Sequence, residues 1–328
     1  MAVIFDALPG MDVPAEAISK SLAQMWAETH AAGKAAPSAE EAKATQVNFV
    51  LHFGFQTTAD DARQQFATTV EFSKRYPSRV VVLCPSRDET FGAGIRAKVY
   101  GECFLGKSKG DTRCVEFVIL SYPMAARAYL EDLVSTCLST DLPLYYWAHR
   151  FSSATRLNDY QYLLRASKRI MVDSAVVPLE ALAFNWPKPE ALRDLVHARL
   201  LPVRQGLGQF LSGFSPKKLV GGLKIVTVTH QPERSAEALV LREWLKPRLA
   251  ACGKIDAVEF SVQADAGAGA PALAVTFGYD GDSTFSWAGY LSNNHATYEA
   301  DFGDGAVKMT TGLKLLDPAA ALSEAVFF

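Results

Sequence analysis

Residues 135–153, STCLSTDLPLYYWAHRFSS, and residues 166–176, ASKRIMVDSAV, contain two short apolar runs, LPLYYW and RIMV, on either side of an amphipathic segment. Each run ends on polar residues. An extended run, a helical segment and a second extended run form a β-α-β unit of an open sheet, whose strand ends present side chains to a ligand or partner. The polar residues that follow these strands include His149, Asp173 and Ser174.

The same pattern extends outward from this unit toward the start of the chain. QVNFVLHF (46–53) sets Val47, Phe49, Leu51 and Phe53 against Gln46, Asn48 and His52, a strand period that places His52 on the wet face. Thr58-x-x-Asp61 has the form of a capping box, and Ala62, Phe66 and Val70 continue a helical face toward Tyr76. RVVVLC (79–84) is a continuous β-branched run, as in a strand covered on both faces. IRAKVYGECFL and TRCVEFVIL, separated by GKSKGD, predict a β-hairpin. A first helix is expected from Pro14 to His30, followed by a loop over AAPSAEEAKA, and a further helix is expected from Met124 to Leu138.

Residues 176–222 are rich in Pro and Gly, as at a domain boundary, with one amphipathic helix from Glu190 to Leu201 expected to bridge the halves. LKIVTVT then predicts a strand, followed by a helix from Glu233 to Cys252 containing Pro247. Alternating runs at 257–262, 272–277, 284–291 and 295–302 predict an antiparallel meander, closed by a helix that opens at Asp317 and Pro318. The reading is α/β: an N-terminal mixed α/β sheet domain (1–180) followed by a smaller α+β domain (181–328) with an antiparallel meander.

The 328 residues are 49% hydrophobic and 21% charged, with 33 Lys+Arg against 35 Asp+Glu. So even a balance gives no global field for nucleic acid or an anionic membrane, and no apolar stretch reaches the roughly 18 residues of a membrane span. MAVIFDALPGMDVP lacks the basic and apolar regions of a signal peptide, so a cytoplasmic protein is expected. Five cysteines without C-x-x-C indicate neither a disulfide framework nor a zinc module.

The candidate chemistry is sparse. FGAG (91–94), GLG (206–208) and GAGAP (267–271) lack the strand-to-helix placement of a phosphate cradle, and the six histidines are scattered, so no cofactor or metal is expected. Ser174 lies outside any G-x-S-x-G elbow, and the adjacent Asp173 is read as ordering the turn after RIMV. Glu102 and Glu116 lie on the two arms of the predicted hairpin. Glu116 is the odd polar residue on an apolar face, so it needs a partner, with Arg79 or Arg169 available. Tyr145, Tyr146 and Trp147 suit either the core or an interface. Cys84, Cys103 and Cys114 on neighbouring strands leave redox control open.

In order, TQVNFVLHF, YPSRVVVL, RCVEFVIL, STDLPLYYW, SKRIMVDS and RDLVHARLLPVR form a series that resembles the OpcA family of glucose-6-phosphate dehydrogenase assembly proteins, over residues 45–204. The resemblance implies a non-catalytic partner of glucose-6-phosphate dehydrogenase that favours its active oligomer, in regulation of the pentose phosphate pathway. The family-like positions are Arg79, Cys114, Glu116, Asp141, Pro143, Trp147, Arg169, Asp173 and Ser174, together with Asp194, Leu195, Arg199, Leu200 and Arg204. Tyr146 with Trp147 replaces a tryptophan pair, and His197 and Val203 stand where the family has tryptophans. The strand-end aromatics and the bridging helix are the expected contact surface. The alternative is an enzyme that binds a small molecule or sugar phosphate through Asp141, His149, Asp173 and Ser174.

Overall fold

The computed structural model describes residues 4–33, 36, 45–87, 94–105, 112–178 and 182–328. The GKSKGD connection, most of the AAPSAEEAKA loop and the first three residues of FGAG lie outside the described residues. Two units emerge, one made of Met1–Leu195 with Leu322–Phe328 and the other of Val196–Ala321.

The first unit contains, in order, α1 (Ile4–Ala7), β1 (Met11–Val13), α2 (Ile18–Ala31), β2 (Val47–Phe53), α3 (Ala59–Arg75), β3 (Ser78–Ser86), β4 (Arg96–Leu105), β5 (Thr112–Pro123), α4 (Leu130–Cys137), β6 (Leu144–His149), α5 (Ala154–Asn158), α6 (Gln161–Ala166), β7 (Arg169–Val172) and β8 (Leu192–Asp194). Its strands form one eight-stranded sheet in the order β1-β4-β5-β3-β2-β6-β7-β8. From β5 to β8 all neighbours are parallel, whereas β4 runs antiparallel to both β1 and β5. The predicted hairpin and the β-α-β units are present.

β2 departs from its predicted half-wet character. All seven of its residues are buried, because parallel neighbours flank it and both sheet faces are covered. Phe49 meets Phe72 of α3 on one face, while Val50 joins Tyr146, Phe151 and Tyr160 in the core on the other. His52 is therefore a core residue, not a solvent-facing one.

The expected helix from Glu190 to Leu201 is also corrected. Leu192–Asp194 pairs with Ile170–Val172 as the edge strand β8, and helical structure resumes at Leu195. The apolar spacing of Leu192, Leu195 and Val196 imitates a helix face, but the open edge of β7 captures the first three residues. This pairing also carries the first unit past the boundary expected after residue 180.

The cysteine reading needs a further correction, because Cys103 and Cys114 are joined by a disulfide. The ladder places them directly opposite each other on β4 and β5, with Cα atoms 4.0 Å apart. A search for C-x-x-C cannot find such a pair, since hairpin register rather than sequence proximity makes the two cysteines neighbours. Two residues along the same ladder, Gly101 faces Glu116, and a Cβ there would come within 2.6 Å of the Trp26 ring. Glycine lets α2 sit tightly on β4.

The second unit begins within α7 (Leu195–Arg199) and continues with α8 (Leu201–Leu211), α9 (Pro216–Val220), β9 (Leu223–His230), α10 (Ser235–Ala250), β10 (Glu259–Ala264), β11 (Leu273–Tyr279), β12 (Thr284–Tyr290), β13 (His295–Asp301) and β14 (Val307–Gly312). The six-stranded sheet has the order β10-β9-β11-β12-β13-β14, with β11 to β14 forming the antiparallel meander and β10 parallel to β9. Leu207, Leu211, Leu241 and Leu245 of the helices pack with Val226, Val275, Phe285 and Trp287 on one sheet face. The final helix α11 (Pro318–Phe327) opens as expected, with Asp317 Oδ1 accepting from Ala320 N. Its end belongs to the first unit, where the Phe327 ring lies 4.4 Å from Tyr76 and 6.0 Å from Tyr145.

Candidate functional site

The chain leaves β2 for β3 on one side and later places β6 on the other, so the order in which strands are added reverses between the parallel neighbours β2 and β6. Open α/β sheets bind ligands beyond the carboxyl ends of their strands at such a point. Here the carboxyl ends supply Gly54 to Thr57 and Arg150 to Ser153. Gly54 N donates to His149 O at 2.7 Å, and a Cβ on Gly54 would come within 2.5 Å of the Arg150 carbonyl carbon. Only glycine permits this approach. Arg150 itself adopts a left-handed φ of 52°.

Side chains fill the crevice. His52, Phe55, Met124, Phe151 and Tyr160 leave a cavity of about 10 Å³, room for a single water. The Arg87 and Arg156 guanidiniums lie over the Phe55 ring, 5.3 and 5.6 Å from its centroid. The helix terminus that a phosphate would use is occupied by its own cap: Thr58 Oγ1 accepts from Asp61 N, and Asp60 and Asp61 add negative charge to the first turn.

Beneath the crevice His52 is gripped from both sides. Its Nδ1 is 2.8 Å from the Tyr146 hydroxyl and its Nε2 2.7 Å from the Tyr122 hydroxyl, which in turn lies 2.6 Å from that of Tyr160. Burial lowers the His52 pKa to about 3. A neutral imidazole donates through one nitrogen and accepts through the other, so two hydroxyls that can each do either satisfy it.

A second polar group joins α3 to the end of β6. His149 Nε2 lies 2.8 Å from Asp61 Oδ2, and Arg150 Nε donates to the same oxygen. Burial pushes the Asp61 carboxyl up, but the hydrogen bond and electrostatic pull of His149, with Gln65 and Arg150, hold its pKa at about 2. His149 Nδ1 and Thr57 Oγ1 are buried without a hydrogen-bond partner among the described residues. The capping-box motif pointed to Asp61, but the pairing with His149 depends on sheet order and escaped sequence reasoning.

The family-like positions fall into separate groups. Glu116 is buried, accepting from Arg79 Nη2 at 3.0 Å and from Trp26 Nε1 at 2.6 Å. Of the two arginines considered for it, Arg79 is the partner, whereas Arg169 Nη1 donates to Lys168 O. Asp173 orders its turn by accepting from Ala175 N at 3.0 Å. Ser174 Oγ donates to Asp194 Oδ2 at 2.7 Å, tying the β7 turn to β8. In the second unit Arg199 Nε donates to buried Glu237 at 3.1 Å, and Arg204 is half-buried on α8. Cys114 is in the disulfide, and Pro143 is half-buried at the start of β6.

Two sequence expectations meet a different geometry. Tyr145, Tyr146 and Trp147 are at most 3% exposed, so they form core rather than a contact surface. Asp141 is exposed ahead of the amino end of β6, while His149 lies at its carboxyl end and Ser174 engages Asp194. With its members at opposite ends of the sheet, the set Asp141, His149, Asp173 and Ser174 does not line one pocket. Among the described residues no group of three or more His, Cys, Asp or Glu could hold a metal ion, and no helix is long and apolar enough to cross a membrane.

Residues 69–185 match the family model described as the glucose-6-phosphate dehydrogenase subunit N-terminal domain. A curated relative, the putative OxPP cycle protein OpcA of Synechocystis, is 26% identical over 179 residues. The match covers 53% of this chain and 37% of the relative, so the chain spans well under half of that protein. Similar solved structures include an aldose-aldose oxidoreductase from Caulobacter crescentus at 9% identity and TM-score 0.41, covering 86% of this chain and 87% of that one. A 3-ketoreductase from Actinomadura kijaniata aligns at 11% identity and TM-score 0.43, covering 86% and 90%. The domain match runs from within α3 to past β7 and includes Glu116, Trp147, Asp173 and Ser174, so this stretch of the first unit is similar to the N-terminal domain of that family and to the OpcA relative.

Proposed function

We propose that this chain is a cytoplasmic, non-catalytic partner of glucose-6-phosphate dehydrogenase that promotes or stabilises the dehydrogenase's active oligomer and so regulates entry to the pentose phosphate pathway. The observation that carries the reading is the filled switch point. The place where an open α/β sheet offers a ligand site is packed with the chain's own Phe55, Phe151, His52 and Tyr160. The sheet there serves as a scaffold, tied across its strands by the family-like pairs Arg79 with Glu116 and Ser174 with Asp194.

An activator of this kind needs only to bind the active state of the dehydrogenase more tightly than the inactive one. The shift it causes is limited by that difference in affinity. A tenfold preference corresponds to about 1.4 kcal/mol. The test is a titration of this protein into the dehydrogenase of the same organism, with rate followed at limiting glucose 6-phosphate and oligomer mass followed by light scattering. A saturable rise in rate together with a new mass is expected. If neither changes while both proteins are folded, the proposal is wrong.

A further inference from the structure

The six-stranded sheet of the second unit has one face packed under α8 and α10, and its opposite face contributes none of the side chains in that buried apolar core. The strand registers define that opposite face row by row. One row runs Ser261, Thr227, Thr276, Ser286, Glu299 and Lys308 across the sheet. The next runs Thr229, Ala274, Ala288 and Thr297 over the four central strands. These residues are half-buried or exposed.

An antiparallel sheet with one wet face is ordinary, and such a face usually carries charged residues. This one does not at its centre. In these two rows β9, β11 and β12 contribute only Thr, Ser and Ala, and the charged pair is at the margin, where Lys308 Nζ lies 3.0 Å from Glu299 Oε1. Depletion of charge at the centre of a surface, with charge kept to its rim, is one mark of a protein interface.

We infer that this face is a two-fold interface between copies of this chain. Three arguments favour a second copy as the occupant. A hydroxyl both donates and accepts, so a field of Thr and Ser can pair with its own image, which a two-fold contact requires. Thr227 Oγ1 already accepts from Ser261 Oγ at 3.0 Å within the face. Small side chains let two sheets approach to the usual spacing of about 10 Å without a clash. Finally, six strands spaced about 4.8 Å apart, each rising about 3.3 Å per residue, give a face of roughly 600 Å². That area reaches the lower end of what each partner contributes to a specific dimer, about 600 to 1,000 Å².

Sedimentation velocity on the full chain over a range of concentrations tests this directly. The expected result is a species of twice the chain mass at tens of micromolar. Thr276→Arg combined with Ser286→Arg should leave a monomer at every concentration, with circular dichroism and melting temperature close to those of the parent. Ala288→Glu should do the same, and serves if the double variant fails to fold, while Lys308→Glu at the rim should weaken association less than tenfold. A parent protein that is monomeric throughout, or central variants that fold and still dimerise, would overturn the inference. So would variants that lose only the response of the dehydrogenase while parent and variant alike remain monomers.

Discussion

His52 is neutral because water cannot reach it and two tyrosine hydroxyls can satisfy the uncharged ring. Its folded pKa of about 3 lies below the unfolded value of 6.5, so between these pH values the unfolded chain binds the extra proton. Its contribution is complete above about pH 6.5 and lost as pH falls toward 3, a span of about 4 to 5 kcal/mol. Asp61 adds a loss with the same sign in a lower window, between 3.8 and about 2. Urea unfolding from pH 7 to 3.5 should therefore show a steep decline in the parent. His52→Gln should be less stable at pH 7 but decline more gently, and equal slopes would remove His52 as the cause. The sequence showed that position 52 belongs to a strand, but not the face it uses. Alternation suggests solvent wherever a polar residue interrupts it, and only the tyrosines of β5, β6 and the segment before α6 make the interior habitable for this one. Glu116 was the easier case, since a lone acid on an apolar face demands a cation, and Arg79 is in register with it on β3.

The β4–β5 hairpin was legible as an element because two alternating runs flank a polar connection, yet its cross-link was not. Cys103 and Cys114 are 11 residues apart, and closing a loop of that size stabilises a fold by about 3 kcal/mol in the chain-entropy account. A reducing agent should lower the melting temperature of the parent toward that of a Cys103→Ser, Cys114→Ser variant, which itself should not respond. An indifferent parent would show that the bond is not formed in solution. Such bonds are uncommon in reducing compartments, so this measurement also bears on where the protein works. β8 was misread for a related reason. A strand of three residues has too few positions to display a period, and only the pairing with β7 makes it extended.

At the scale of the whole molecule, the order of an α/β unit followed by a meander could be read from the chain, whereas the docking place of its last helix could not. Periodicity identifies a helix after Asp317, but the place where Phe327 docks is decided by Phe72, Tyr76 and Tyr145, far earlier in sequence. Phe327→Ala should cost about 1 to 3 kcal/mol, less than a fully buried phenylalanine because the side chain is only partly covered. Hydrogen exchange should then quicken in α3 and β6 and stay unchanged in β11 to β13. Uniform acceleration would contradict the assignment of this segment to the first unit.

That assignment also bears on how the protein is made. Domains tend to fold as they leave the ribosome, the earlier one first. Here the first unit needs Leu322–Phe328, which are synthesised after all of Val196–Ala321. The second unit can finish while the aromatic seat formed by Phe72, Tyr76 and Tyr145 is still empty. During translation that seat is a sticky, half-built surface, and a nascent chain stalled before residue 322 would be a natural client for a chaperone.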